Sequence, residues 1–290
     1  MLMAIRQWSI KNYMREYEDT IYAAESFDLI QAMPEKCFDL IIADGPYAKT
    51  EHDWDKVEDI QEFNLQLISE CSRIMKPGAS LYLFGKHNAL DFVDYRSHLK
   101  LNTRIIWYQP SRLAQGRLNY TDNFDVIYYF SKGRASTYNL DDIRVPQMVE
   151  LAHRKRCENV PSVKNGKFGK TQFNPKGKNP GNVWGDIKQL TYRSKELVNR
   201  KMLNTIQKPE KLMERIVKAS SKPGDFVFDA FAGTGTAVKV AAKLGRKVCA
   251  SEYNPELAMI SYNRLRDVCD NARIDFSYSA DSTLKSMSPA

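Results

Sequence analysis

The stretch DFVFDAFAGTGTAVKVAAKLG, residues 225–245, constrains the fold more than any other part of this chain. An apolar strand runs into two closely spaced glycines and then into an apolar-faced helix, and KVCASEYN follows as a second strand. A strand that reaches a parallel neighbour through a helix needs a sheet covered on both faces. The first half repeats the alternation. DTIYAAE, FDLIIAD, ASLYLFG, TRIIWYQ and FDVIYYFS read as strands. SFDLIQAMP, IQEFNLQLISECSRIMK and NALDFVDYRSHL read as helices. PEKLMERIVKASS and PELAMISYNRLRDVC supply two more, each opening on proline. The pattern predicts an α/β fold with a mostly parallel, doubly wound sheet.

From about residue 133 to residue 203 the regularity stops, and NGKFGKTQFNPKGKNPGNVWG reads as loops, hairpins or an inserted subdomain. A catalytic domain of 1–132 and 204–290 around an insert at 133–203 is the expected organisation. The whole chain has a net charge of +8, yet residues 151–201 carry 13 Lys and Arg against 3 Asp and Glu, a local +10 that leaves −2 elsewhere. Charge concentrated in this way suits a polyanion. The five cysteines have no CxxC pair, so they read as reduced thiols of a cytoplasmic protein, with no metal site. No apolar run reaches the length of a membrane span.

Gly233 and Gly235 let backbone approach a ligand at a helix N-terminus, and Glu252 ends the following strand, where an acid can hold both hydroxyls of a ribose. Asp229 stands just before the glycines; it would repel a phosphate and suit an ammonium group. S-adenosylmethionine has the matching groups. The loop alone serves a dinucleotide or phosphate turn equally well. Glu25, at another strand end, is placed either to accept from an adenine amine or to cap a helix. ADGPY, residues 43–47, adds an acid and a ring after an apolar strand.

Together these pieces resemble the amino-group DNA methyltransferases. DGPY resembles their DPPY signature, FDAFAGTGT their DPFxGxGT cofactor loop, and QKPEKLMERIVKASSKPGDFVFD the stretch joining their QKP element to that loop. The order, catalytic turn before cofactor loop with a basic region between, is that of the β class. The resemblance implies a circularly permuted, seven-stranded Rossmann-like sheet. It implies S-adenosylmethionine bound by positions matching Glu25, Asp44, Lys208, Asp229, Phe231, Gly233, Gly235, Thr236 and Glu252. It also implies a target-recognition region in the basic insert and a catalytic turn at Asp44, Gly45, Pro46 and Tyr47. Three departures are visible: Gly45 for the first proline, Asn204-Thr205-Ile206 before the QKP residues, and Ala230 for a proline. Glycine in the turn adds chain freedom that costs about 0.4–1 kcal/mol.

An exocyclic amine is a weak nucleophile because its lone pair is delocalised into the ring. A carboxylate and a backbone carbonyl that accept its two N–H bonds favour the tetrahedral, positively charged geometry of attack. Asp44 and the Gly45 carbonyl are the expected acceptors, and Tyr47 the stacking platform for a base flipped out of double-stranded DNA. Aspartate at the head of the turn points to adenine N6, with cytosine N4 and an inactive DNA-binding subunit as the alternatives. Arg112, Arg117, Arg154, Lys155, Arg156, Lys167 and Lys170 are the expected DNA contacts, with Phe168, Phe173, Trp184 and Tyr192 as wedges or stacking rings. The family often forms homodimers and often works beside a cognate restriction endonuclease; the sequence decides neither.

Overall fold

The structure, a computed structural model, describes residues 14–47, 55, 57–110, 112, 120–147, 161–164, 167–170, 174–198 and 207–277; of 161–164 and 167–170 it describes the backbone. The central strand β2 (Phe38–Ala43) pairs in parallel with β3 (Met75–Gly85) on one side and β9 (Phe226–Asp229) on the other. β9 continues to β10 (Lys247–Glu252) and β1 (Thr20–Ala23), and β3 to β5 (Phe124–Ser131) and β4 (Lys100–Tyr108). These are the seven expected strands. Two short ones, β11 (Arg273–Asp275) beside β1 and β8 (Val183–Trp184) beside β4, extend the edges. Of the nine, β5 alone runs against the others.

β2 shows why the sheet is covered on both faces. Ile41 and Ala43 join one apolar cluster with Leu29 and Ile30 of α1 (Ser26–Ala32) and Leu67, Ile68 and Cys71 of α2 (Ile60–Ile74). Leu40 and Ile42 join the other. That second cluster is closed by Leu212 and Ile216 of α3 (Glu210–Ser220), Val238 of α4 (Thr236–Lys243) and Leu265 of α5 (Pro255–Arg266). Each fully buried Leu or Ile contributes roughly 1.5–3 kcal/mol, so a strand apolar on both faces is held at the centre. No helix among the described residues is long and apolar enough to cross a membrane.

Two expectations are corrected here. Residues 88–99 form turns and one 3₁₀ turn at Tyr95–Ser97 instead of a helix. Their N–H groups bond three residues back, Ala89 to Lys86 (3.1 Å) and Val93 to Leu90 (3.3 Å). Ala89, Leu90, Val93, Tyr95 and Leu99 are all buried; on a helix Tyr95 would point roughly 200° away from Val93, so a straight helix cannot bury both.

The second correction concerns the insert. Its described parts, 133–147 and 174–198, are built onto the sheet. Asn139 Nδ2 donates to the carbonyls of Lys218 and Ser221 (2.9 Å each). Trp107 Nε1 donates to Ile187 O (2.8 Å). Trp184 is buried, with the Arg215 guanidinium 4.9 Å over its ring, and so is not free to stack on bases. The hairpin of β6 (Pro161–Lys164) and β7 (Lys167–Lys170) is a separate two-stranded sheet.

Candidate active site

Adjacent parallel strands bring their ends together. Ala250, Asp229 and Ile42 lie in register across β10, β9 and β2. Beyond them Ala230 N donates to Ile42 O and Ala232 N to Ser251 O (2.9 Å each). The DGPY turn, the glycine loop and Glu252 therefore leave the sheet at one carboxyl edge, the edge at which open α/β sheets bind their ligands.

The loop is shaped for backbone contact. Gly233 has φ 53° and Gly235 φ 75°. A Cβ on Gly235 would lie 2.3 Å from Ser261 Oγ, so only glycine fits where α4 begins. Glu252 accepts from Gly233 N (2.7 Å) and Asn254 N (2.9 Å), one bond on each oxygen. This fixes the carboxyl while leaving lone pairs for two hydroxyls. Burial pushes Glu252 up to about 7, against the pull of those two N–H groups. Burial likewise pushes Asp229 to about 7, aided by Asp44 and Glu252 and opposed by Phe231 N–H and Lys208. An acid cluster of this kind is relieved by a ligand cation. Glu25 occupies the N-cap position of α1 without a side-chain capping bond, and its charge reaches Glu252. The Phe231 ring lies against the catalytic turn, where a Cβ on Gly45 would come to 3.0 Å from it. The glycine that replaces the family's proline thus lets turn and loop close-pack.

Asp44 is already engaged on both oxygens. Tyr47 Oη donates to Oδ1 (2.7 Å) and Lys208 Nζ to Oδ2 (2.5 Å), with Nζ 3.4 Å from Tyr47 Oη. The Lys208 side chain is 4% exposed. Burial, then Asp44 and Asp125, hold the Tyr47 phenol well above its ordinary range. Gln207, buried next to Lys208, donates to Glu196 O (2.7 Å) and accepts from Val198 N (3.1 Å). The two residues thus face opposite ways, one to Glu196 and Val198 and the other to the Asp44 carboxylate.

Two expected assignments are corrected. Thr236 Oγ1 accepts from Arg264 Nη1 (3.0 Å), which also donates to Thr234 O (2.7 Å), so this hydroxyl braces the loop from within the protein. Arg112 donates to both Asp125 oxygens (2.9 Å each) and to the carbonyls of Asp122 and Phe124 (3.3 and 3.2 Å). Nη2 bonds to a buried carboxylate and Nη1 to two carbonyls, so that guanidinium is tied into the protein. Arg117, Arg154, Lys155, Arg156 and Phe173 lie outside the described residues. Lys167, Phe168 and Lys170 are placed on β7 by backbone alone.

Sequence reasoning missed Arg264, Lys86, Gln109 and Asp125. The signal for Lys86 was available: like Asp44, it is a charge just past an apolar strand.

A family model for DNA methylases that act on amino nitrogens, N6 or N4, matches residues 38–263. The chain belongs to that family. Among its relatives, the DNA adenine methyltransferase YhdJ of Escherichia coli is 31% identical over 85% of this chain and 82% of its own. In fold the protein is similar to M1.HpyAVI, solved as a complex with S-adenosylmethionine (16% identity, TM-score 0.52, 84% of this chain and 98% of that one). It is also similar to the PvuII cytosine-N4 DNA methyltransferase (17% identity, TM-score 0.59, 90% and 96%). The glycine loop without room for a Cβ, the tethered Glu252 and the buried Asp229 fit S-adenosylmethionine, the family's methyl donor.

Proposed function

We propose that this protein methylates the N6 amine of adenine at a specific sequence in double-stranded DNA. What carries the reading is the adjacency of β2 and β9, which sets the Asp44 carboxylate beside the glycine loop. S-adenosylmethionine supplies a methyl group made electrophilic by its sulfonium. Asp229 holds the donor's ammonium, Glu252 its ribose hydroxyls, and Glu25 the edge of its adenine.

Asp44 and the Gly45 carbonyl then accept the two N–H bonds of the target amine. For this, Tyr47 must give up its bond to Asp44 Oδ1. That release frees the phenol ring to stack on the extruded base, a contact worth roughly 1–3 kcal/mol. Lys208 stays on Oδ2 and keeps the carboxylate aimed. The amine proton passes to Asp44 or to water once the N–C bond has formed. Positioning of the two reactants in line supplies much of the acceleration. The basic segment at 151–201 holds the DNA backbone.

Adenine is favoured by the aspartate that heads the turn, since the family's cytosine enzymes usually carry serine there. The second reading, cytosine N4, is favoured by the likeness in fold to a cytosine-N4 enzyme. Duplexes in which adenine or cytosine is the sole modifiable base separate the two. N6-methyladenine as the mass-spectrometric product is expected, and N4-methylcytosine alone would overturn the choice.

A further inference from the structure

Next to Tyr47 lies a buried charged cluster that methyl transfer as described leaves without a role. It is drawn from three strand ends: Lys86 follows β3, Gln109 follows β4 and Asp125 opens β5. Because β5 alone is antiparallel, its first residues reach the same edge as the last residues of its neighbours. Asp125 is 2% exposed. Its carboxylate accepts from Lys86 Nζ (2.8 Å) and Gln109 Nε2 (2.7 Å), and Arg112 Nη2 donates to both of its oxygens (2.9 Å each). Lys86 Nζ stands 5.8 Å over the Tyr47 ring. Gln109 N donates to Asn123 O (2.7 Å), so the end of β4 is bonded to the residues that lead into β5 as well as to Asp125.

Resting on the methyltransferase reading, we infer that Asp125 is a positioning residue for the target base: it holds Lys86 against the Tyr47 ring. The observations favour this over a role in the fold alone. A carboxylate buried among three donors is replaceable in a core by apolar packing, whereas here one of its cations is turned onto the ring that receives the base. Cations over aromatic faces orient both partners. Asp125 also feels Lys208: against the effect of burial, Lys208, Lys86 and Arg112 hold it below the ordinary carboxylate range. Of the two ammonium groups near the Tyr47 ring, Lys86 (5.8 Å) is paired with this carboxylate and Lys208 (5.5 Å) with Asp44.

The test uses the full chain with Asp125→Asn, which keeps the shape and removes the charge, and with Lys86→Met and Lys86→Arg. The expected result is an unchanged Kd for S-adenosylmethionine, to within about twofold, while single-turnover transfer to DNA slows by about tenfold or more in Asp125→Asn and Lys86→Met. Lys86→Arg, which keeps the cation, should recover most of the rate. In a Tyr47→Leu background Asp125→Asn should slow transfer by no more than about twofold further, since coupled residues are non-additive. Wild-type rates in both Asp125→Asn and Lys86→Met overturn the inference, as does an equal loss with and without Tyr47. Should Asp125→Asn fail to fold, Lys86→Met against Lys86→Arg decides. If the wild type itself transfers no methyl group to DNA while binding the donor, it is the methyltransferase reading that falls.

Discussion

At the residue scale, Asp44 is held between a phenol and an ammonium, and its substitution separates chemistry from binding. Asp44→Ala should lower methyl transfer by about 10²–10³, the cost of removing one preorganised transition-state contact. The Kd for S-adenosylmethionine should move far less. Equal losses in rate and donor affinity would place Asp44 in the cofactor site instead. The acids behind it make a prediction about pH. Asp229 and Glu252 are raised from 3.8 and 4.5 to about 7. An acid whose folded pKa is raised binds more protons in the folded state, so stability is highest below the unfolded value and falls as pH rises towards 7. Urea unfolding of the free protein should show this decline between about pH 4.5 and 7, and Asp229→Asn should flatten it. Asp125, lowered in the fold, acts in the opposite sense, losing its contribution as pH falls through its own lower pKa.

At the element scale, the strand–loop–helix unit depends on contacts at either end of the loop. Gly235→Ala meets both a left-handed backbone (φ 75°) and Ser261 at 2.3 Å. It should cost about 2 kcal/mol or more by denaturant unfolding and weaken donor binding as well. Unchanged stability would contradict the close approach of α4 and α5. Most of these elements were legible in advance because their apolar residues repeat with one period throughout. Where the period changed, the reading failed. Val93 and Tyr95 would lie on opposite faces of a helix and so require a bend. Trp184 stands in a Gly- and Lys-rich stretch whose composition concealed a two-residue edge strand. The DGPY turn and glycine loop were legible because their residue types are improbable for plain turns. The Asp125 cluster was not, since its members come from three strand ends and only the antiparallel course of β5 joins them.

At the scale of the whole molecule, the excess positive charge is concentrated in residues 151–201. DNA affinity should fall by about 10³-fold or more between 50 and 200 mM salt if six or more phosphates are contacted. Replacing Arg154, Lys155 and Arg156 together by alanine should flatten that slope without altering donor binding. A salt response as steep as the wild type's would move the DNA face elsewhere.

Gln207 and Lys208 give the molecule a short line of communication. A single peptide bond separates the side chain that grips the stem at Glu196 and Val198 from the one that holds the Asp44 carboxylate. A shift of the stem by one bond length cannot stop at the surface, because Gln207 would have to follow it or lose both partners. Under the proposed function, engagement of a DNA site by that stem and readiness of the Asp44 carboxylate would be joined mechanically, through two neighbouring residues of the backbone.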